Sequence, residues 1–227
     1  MASATFATNM ISLASFLFMV VSVILAWFGI SEWRGFRQIK EKVKKDSGLF
    51  AHIQLAEMYD RNGMTDKAIS EYESAKLIQP DNIVAATRLG FLYDGVSYEK
   101  AVDNSKKAVE LDARNFAAYL NLGVSLSNAP TDRTKEALDA YLKAEEISKI
   151  SRVDIISMGK VKLFIGHCYK KLGENANALL KYKEAEGEFN DGKKINVLEV
   201  NRQADHWLDE LNRKRGEIEG TSEPSSS

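Results

Sequence analysis

The 227-residue sequence contains one cysteine, three prolines and three histidines. A single cysteine, Cys168, excludes a disulfide within the chain and a cysteine-based zinc site. So few prolines favour long helices with few interruptions. An excess of positive charge is also missing, because 31 Lys and Arg oppose 32 Asp and Glu, for a formal net charge of −1. Nucleic acid requires such an excess and is therefore not expected as the main partner.

The usual motifs of catalysis and cofactor binding are missing as well. The sequence has no His-x-x-x-His pair, no paired cysteines and no glycine-rich phosphate loop. His167 and Cys168 are adjacent, so on a helix their side chains diverge by about 100° and cannot act as a nucleophile–base pair. The acidic residues are dispersed, as expected of solvated helical faces. We therefore predict a protein that is not an enzyme and has no cofactor or metal.

The first 31 residues carry no charged side chain. Residues 10–30 are apolar apart from three serines and one glycine, and as a helix they would measure about 31 Å, close to the hydrocarbon thickness of a bilayer. A cleaved signal peptide is the first alternative, although residues 1–9 lack the expected positive charge. A buried core helix is the second, although 21 residues without a polar face are unusual in so short a chain. We predict a transmembrane helix at 10–30.

A basic stretch follows this apolar segment. Residues 33–48 contain six Lys and Arg against two acidic residues, whereas residues 1–9 contain none. The positive-inside rule then places everything after residue 33 on the cytoplasmic side, with a short tail at 1–9 outside. The side chains expected near the lipid headgroups are Trp27, Trp33, Arg34, Arg37, Lys40 and Lys44. We predict that residues 31–48 form a solvated helical linker. In the alternative, inverted orientation, the protein would be a periplasmic or extracytoplasmic adaptor.

The remaining sequence repeats itself. Small residues that follow Leu or Ile recur at intervals of 34, 33 and 43 residues: Ala56, Gly90, Gly123 and Gly166. Alanines and aromatic residues follow each of them at helical spacing, which predicts helices that approach closely at the small residues, with aromatic rings filling the space between pairs. Glycines such as Gly63, Gly95 and Gly173 mark short loops. The first helices are expected at 50–61, 83–94, 115–127 and 152–172, and the second at 65–78, 98–111, 132–148 and 175–190.

This pattern resembles the tetratricopeptide repeat, a helix–turn–helix unit of about 34 residues. The resemblance covers residues 49–192 as four units, at about 49–82, 83–115, 116–151 and 152–192. It departs from the pattern at Ser105, which stands in place of an aromatic residue, in the longer loop of unit three, and in about seven extra residues before unit four. We expect these extra residues to lengthen the first helix of unit four by about two turns, with Ser151 and Asp154 as its capping box.

The resemblance implies an all-α fold with a four-unit, right-handed α-solenoid. This solenoid would follow the single N-terminal transmembrane helix that the apolar run predicts. A helical pattern at 193–217 suits a capping helix over the last repeat, because terminal repeats expose an apolar flank. Pairing of that helix with a second chain is the alternative. The tail at 218–227 is low in apolar residues and is expected to be disordered.

The resemblance also implies protein recognition on the concave face, which the first helices line. The candidate partner-binding residues are Arg88, Phe91, Asn121, Phe164 and His167. The chaperone-binding members of this family hold a C-terminal carboxylate at positions that match Ile53, Glu57, Arg88, Ala117 and Asn121 here. The first, second and fourth of these do not fit, which disfavours a chaperone tail.

We expect a scaffold or assembly factor that holds a protein, or a peptide segment of a membrane-associated protein, at the membrane. The alternative is a self-assembling platform, a homo-oligomer that forms through the solenoid ends or the capping helix.

Overall fold

The computed structural model describes the backbone of residues 2–195 and 197–220, and the side chains of residues 16–24, 26–27, 35–195 and 197–220. This part of the chain contains nine α-helices and no strand. It divides into two compact units, Met1–Ala51 and His52–Ser227. The helices are α1 (Ala2–Arg61), α2 (Thr65–Ile78), α3 (Ile83–Leu92), α4 (Tyr98–Leu111), α5 (Phe116–Ser127), α6 (Thr134–Ser148), α7 (Ile155–Lys171), α8 (Asn175–Lys193) and α9 (Leu198–Glu219).

The unit Met1–Ala51 is helical wherever its backbone is described. Large apolar side chains such as Phe18 and Val23 are exposed in it. A search of the described residues finds no helix with the length and apolar character needed to cross a membrane. Within the predicted span at 10–30, residues 10–15, 25 and 28–30 lie outside the described side chains.

Helix pairs fill the second unit, and α2 to α8 begin and end within three residues of the predicted bounds. Successive helices pack on one another from α2 through α9, and the first helices α3 and α5 also pack side by side. Three of the connecting loops contain a glycine with positive φ, at Gly63 (69°), Gly95 (80°) and Gly173 (80°). The predicted left-handed residues at these helix ends are therefore confirmed.

Close approach of the paired helices depends on the small residues. A Cβ added at Gly123 would lie 2.5 Å from the ring of Tyr141, and one at Gly166 would lie 2.4 Å from the ring of Tyr182. Each ring thus occupies the space that a larger residue of its own pair would need. The ring of Tyr141 also reaches the next pair, where its centroid is 5.4 Å from that of Phe164. The aromatic residues therefore pack both within and between units.

Unit two replaces the aromatic ring with Ser105. A Cβ added at Gly90 would meet the Ser105 side chain at 2.4 Å and its Cα at 3.3 Å. The backbone of α4 therefore comes closer to α3 than a ring would permit. Ser105 is fully buried and contributes no aromatic surface.

Unit four contains longer helices than units two and three, with 17 residues in α7 and 19 in α8. The added length repeats the small-against-aromatic packing, because a Cβ at Gly159 would lie 2.4 Å from the ring of Phe189. The predicted start at residue 152 and the Ser151–Asp154 capping box are wrong. Asp154 is itself the N-cap of α7, and its Oδ1 accepts a hydrogen bond from the backbone N–H of Ser157 at 2.8 Å.

The last helix, α9, packs on α8 and α7. It buries Ala204, Leu211 and Ile218 against the apolar side of unit four. It begins at Leu198 rather than at residue 193, because Lys193 still belongs to α8. The predicted disordered tail is wrong at its first two residues, which are helical, while residues 221–227 lie outside the described part of the chain.

Candidate protein-binding groove

A cleft of about 430 Å³ lies between the adjacent first helices α3 and α5. It brings together three of the five predicted partner-binding residues, Arg88, Phe91 and Asn121. Its lining consists of Ile83, Val84, Thr87, Arg88, Phe91, Asn115, Ala117 and Asn121. Two of the apolar side chains in this cleft remain accessible, since Val84 is 40% exposed and Phe91 is 56% exposed.

Polar side chains hold the walls of this cleft in place. The Nδ2 of Asn121 donates a hydrogen bond to the backbone carbonyl of Thr87 at 3.0 Å, which joins α5 to α3. Asn115 caps α5 by accepting a hydrogen bond at its Oδ1 from the N–H of Ala118. The amide nitrogen of Asn121 therefore links the two helices that form this cleft. The sequence alone does not show this structural role.

Arg88 stands where this cleft adjoins a second one of about 390 Å³, which Glu57, Asp60 and Arg61 also line. The Nη1 of Arg88 lies 3.7 Å from the Oδ2 of Asp60, and about half of the Arg88 side chain is exposed. An exposed ion pair at that distance contributes little to stability and is easily exchanged for another anion. The guanidinium group is thus available to a partner.

The positions of the family's carboxylate clamp share this groove. Arg88, Ala117 and Asn121 line the α3–α5 cleft, and Glu57 lines the adjoining one. Glu57 adds negative charge beside Arg88, and the Ala117 side chain cannot hydrogen-bond a carboxylate. These side chains therefore do not form the clamp.

Phe164 and His167 lie elsewhere, in a cavity of about 330 Å³ where α5, α6, α7 and α9 meet. The structure thus separates the five predicted residues into a set of three and a set of two. This second cavity, which we call the aromatic cavity, is lined by Val124, Ser127, Asn128, Tyr141, Phe164, His167, Trp207 and Glu210.

Burial is the main cause that lowers the pKa of His167 to about 4, and the nearby charges of Lys214 and Lys170 contribute to the same shift. The imidazole is therefore neutral at physiological pH. Its Nε2 is buried and has no hydrogen-bond partner among the described residues. The Oε1 of Glu210 lies 4.0 Å from that nitrogen, which is too far for a hydrogen bond.

The sequence analysis did not identify two of the side chains that line the aromatic cavity, Trp207 and Glu210. Both belong to α9, which packs beside α7 as a further first helix would. The amphipathic pattern around Trp207 indicated a packed helix. Only the packing of α9 shows which α9 residues line the aromatic cavity.

The residues predicted to lie near lipid headgroups are exposed where they are described. Trp27, Arg37, Lys40 and Lys44 are accessible, while the side chains of Trp33 and Arg34 lie outside the described set. A stripe of exposed apolar side chains runs along the same segment at helical spacing: Phe36, Ile39 and Val43. The linker thus has an apolar face as well as a basic one, which the prediction of a solvated spacer did not anticipate.

Candidate chemistry elsewhere is limited. The described part of the chain has no group of three or more His, Cys, Asp and Glu side chains that could hold a metal ion. Cys168 is buried, and burial raises the pKa of its thiol to about 11, so it is protonated and unreactive at neutral pH. The absence of catalytic activity stays a prediction.

Comparison with known proteins agrees with the repeat pattern. The sequence model of the tetratricopeptide repeat matches residues 51–82. The curated relative Protein CTR9 homolog of Arabidopsis thaliana is 28% identical over 141 residues, which is 62% of this chain. The chain spans only 12% of the length of that relative.

Solved structures of MamA share the fold. A MamA structure from MSR-1 superposes with a TM-score of 0.52 and 29% identity, over 63% of this chain and 78% of the MamA chain. A second MamA structure has a TM-score of 0.54 and 18% identity, over 80% of this chain and 99% of the other. MamA 41-end from Desulfovibrio magneticus RS-1 has a TM-score of 0.55 and 14% identity, over 63% and 76% of the two chains. The chain thus contains a tetratricopeptide repeat at residues 51–82, and its helical array has the fold of the MamA structures.

Proposed function

We propose that the protein is a membrane-attached scaffold that binds a peptide segment of a membrane-associated protein in the α3–α5 cleft. The observation that supports this function is the combination of accessible apolar side chains, Val84 and Phe91, with the exchangeable guanidinium of Arg88. Buried aromatic residues and arginines supply most of the binding energy in protein interfaces.

The chemistry of the cleft specifies the kind of segment that fits. An apolar partner side chain would be buried between Val84 and Phe91, and an acidic partner group would replace Asp60 at Arg88. A bidentate carboxylate on a guanidinium is among the stronger charge-assisted hydrogen bonds. The proposed segment therefore carries an apolar residue near an acidic one.

Crosslinking and affinity purification of the full-length chain from membranes would identify the partner. Arg88→Glu and Phe91→Ala should each reduce recovery of that partner at least about tenfold, the equivalent of about 1.4 kcal/mol. Lys135→Glu is the matched control, since Lys135 is exposed on the second helix α6 and its reversal makes the same charge change. Unchanged recovery in both groove variants would place the binding surface elsewhere.

Membrane attachment belongs to the same proposal. Residues 10–30 would span the bilayer with the repeat array on the cytoplasmic side, which confines the groove to the membrane surface and raises its effective concentration for membrane partners. The double variant Val21→Asp, Val23→Asp should move the chain into the soluble fraction after alkaline extraction. Each aspartate costs about 2.5–3.5 kcal/mol at the centre of a membrane span. Digestion of the repeat array by protease added outside intact cells would contradict the orientation.

Self-association is a second candidate function, and one specific feature favours it. Three apolar side chains at the α8–α9 connection are exposed, Ile195, Val197 and Leu198, the last at 85%. Contact through this connection would join the ends of two solenoids. Sedimentation of the full-length chain in detergent should show an oligomer that Leu198→Glu dissociates, and a wild-type monomer would remove this candidate.

A further inference from the structure

The aromatic cavity lies at the place where the regular stacking of units is interrupted. The first helices pack side by side from α3 to α5 and again from α7 to α9, whereas α5 and α7 make almost no close backbone approach. The extra residues found in the sequence lie partly in the connection before α7 and partly in the first turns of α7 itself. The longer interval between units three and four has therefore left a space open in the groove.

Aromatic rings form one side of this space. The Phe164 ring is central, with its centroid 5.4 Å from Tyr141, 6.1 Å from His167 and, edge-on, 5.8 Å from Trp207. Because His167 is neutral, none of these rings carries a positive charge at physiological pH. The Nζ of Lys160, which does not line the cavity, lies 5.0 Å from the centroid of the Trp207 ring, a cation–π contact.

A carboxylate completes the lining. The Glu210 side chain is only 25% exposed, and its one close nitrogen is that of the neutral His167 at 4.0 Å. No Lys or Arg lies within 4.0 Å of its carboxylate among the described side chains. Glu217, on the same helix, differs in that it pairs with both Lys170 and Lys214. A carboxylate that no Lys or Arg of the described side chains already occupies can pair with a cation that a ligand brings.

We propose that the aromatic cavity binds a cationic side chain, arginine or lysine, from the segment that occupies the groove. The aliphatic part and the charged head would lie against the rings of Tyr141 and Phe164, and the head would pair with Glu210. A volume of about 330 Å³ suits one long side chain. This inference rests on the proposed function, since it assigns a second specificity element to the same concave face.

The test uses the full-length protein in detergent, with 5-fluorotryptophan incorporated and the Trp207 resonance assigned by Trp207→Phe. The probes are three blocked tripeptides, acetyl-Gly-X-Gly-amide, in which X is arginine, the uncharged isostere citrulline, or leucine. The arginine probe should shift the Trp207 fluorine resonance saturably and bind at least about tenfold more tightly than the other two.

Glu210→Gln should abolish the preference for arginine over citrulline. Asp209→Asn is the matched control, because Asp209 is an exposed carboxylate on the same helix and its removal should leave the preference intact. Equal binding of citrulline or leucine would show an apolar pocket and overturn the inference, as would an unmoved Trp207 resonance at saturating arginine probe.

The two proposals fail separately. Arg88 and Phe91 line the α3–α5 cleft and not the aromatic cavity, so partner recovery in their variants reports on the α3–α5 cleft alone. Loss of partner binding in those variants together with equal affinity for arginine and citrulline would refute only the cationic subsite. Arginine selectivity together with unchanged partner recovery would refute only the groove.

Discussion

Replacing Gly166 with alanine tests whether close helix approach stabilises the array. The new Cβ would lie 2.4 Å from Cε1 of Tyr182 and 3.3 Å from the carbonyl oxygen of Ala178, so the ring must move by about 1 Å. That ring is fully buried, and overpacking of this kind costs about 1–3 kcal/mol. Alanine returns about 1 kcal/mol through its higher helix propensity. The expected net loss is about 0–2 kcal/mol.

Gly187 provides the internal comparison for this change. It lies within α8, and a Cβ there would meet nothing within 4 Å. Gly187→Ala should therefore stabilise the protein by about 0.5–1 kcal/mol through propensity alone. Because the propensity gain is common to both variants, they should differ by the overpacking cost of about 1–3 kcal/mol, or about 2–12 °C in midpoint for a chain of this size.

Thermal unfolding of the full-length chain, followed by circular dichroism at 222 nm, measures this difference. The reasoning is refuted if Gly166→Ala unfolds at or above the midpoint temperature of Gly187→Ala, because the buried ring would then have room to move. A fall in midpoint for Gly187→Ala would also contradict it, since no neighbouring atom opposes that methyl group.

Three further predictions concern unit four and its neighbour. Asp154→Ala should lower stability by about 1 kcal/mol through loss of the α7 cap, whereas Ser151→Ala should change it little, as urea unfolding would show. Tyr182→Phe should leave stability unchanged or raise it, because the Tyr182 hydroxyl is buried without a described partner. Tyr141→Phe should lower stability by about 0.5–1 kcal/mol, because the Tyr141 hydroxyl is hydrogen-bonded to Ser127. Calorimetry of both variants would measure the difference. His167 has a folded pKa of about 4 against 6.5 in the unfolded chain, so the stability of its neutral form is fully present above pH 6.5 and is lost as the pH falls towards 4. His167→Gln should remove up to about 3 kcal/mol of that pH dependence, and identical pH profiles for the two proteins would contradict the assignment.

The helix pairs could be predicted because their signals are local. Glycines such as Gly63 and Gly95 end helices through their own backbone preference, whatever packs around them. The start of α7 could not be placed as well, because both Ser151 and Asp154 are good capping residues. The cap in the structure is Asp154, whose Oδ1 accepts a hydrogen bond from the backbone N–H of Ser157.

The repeat pattern could not predict which of the candidate side chains lie in the same cavity. Periodicity assigned Arg88, Phe91, Asn121, Phe164 and His167 to one concave face, which is a property of each helix taken alone. Whether two neighbouring helices touch depends on the connection between their units and on side chains far along the chain.

The order of small and large residues along each helix was enough to establish an array of paired helices, since close approach needs a glycine or alanine at every crossing. Tertiary packing decided where the groove is closed and where it opens. It joined α5 to α3 through Asn121, separated α5 from α7, and placed Trp207 and Glu210 beside Phe164. The physical reason is that a cavity is defined by what surrounds it, and four different helices surround this one.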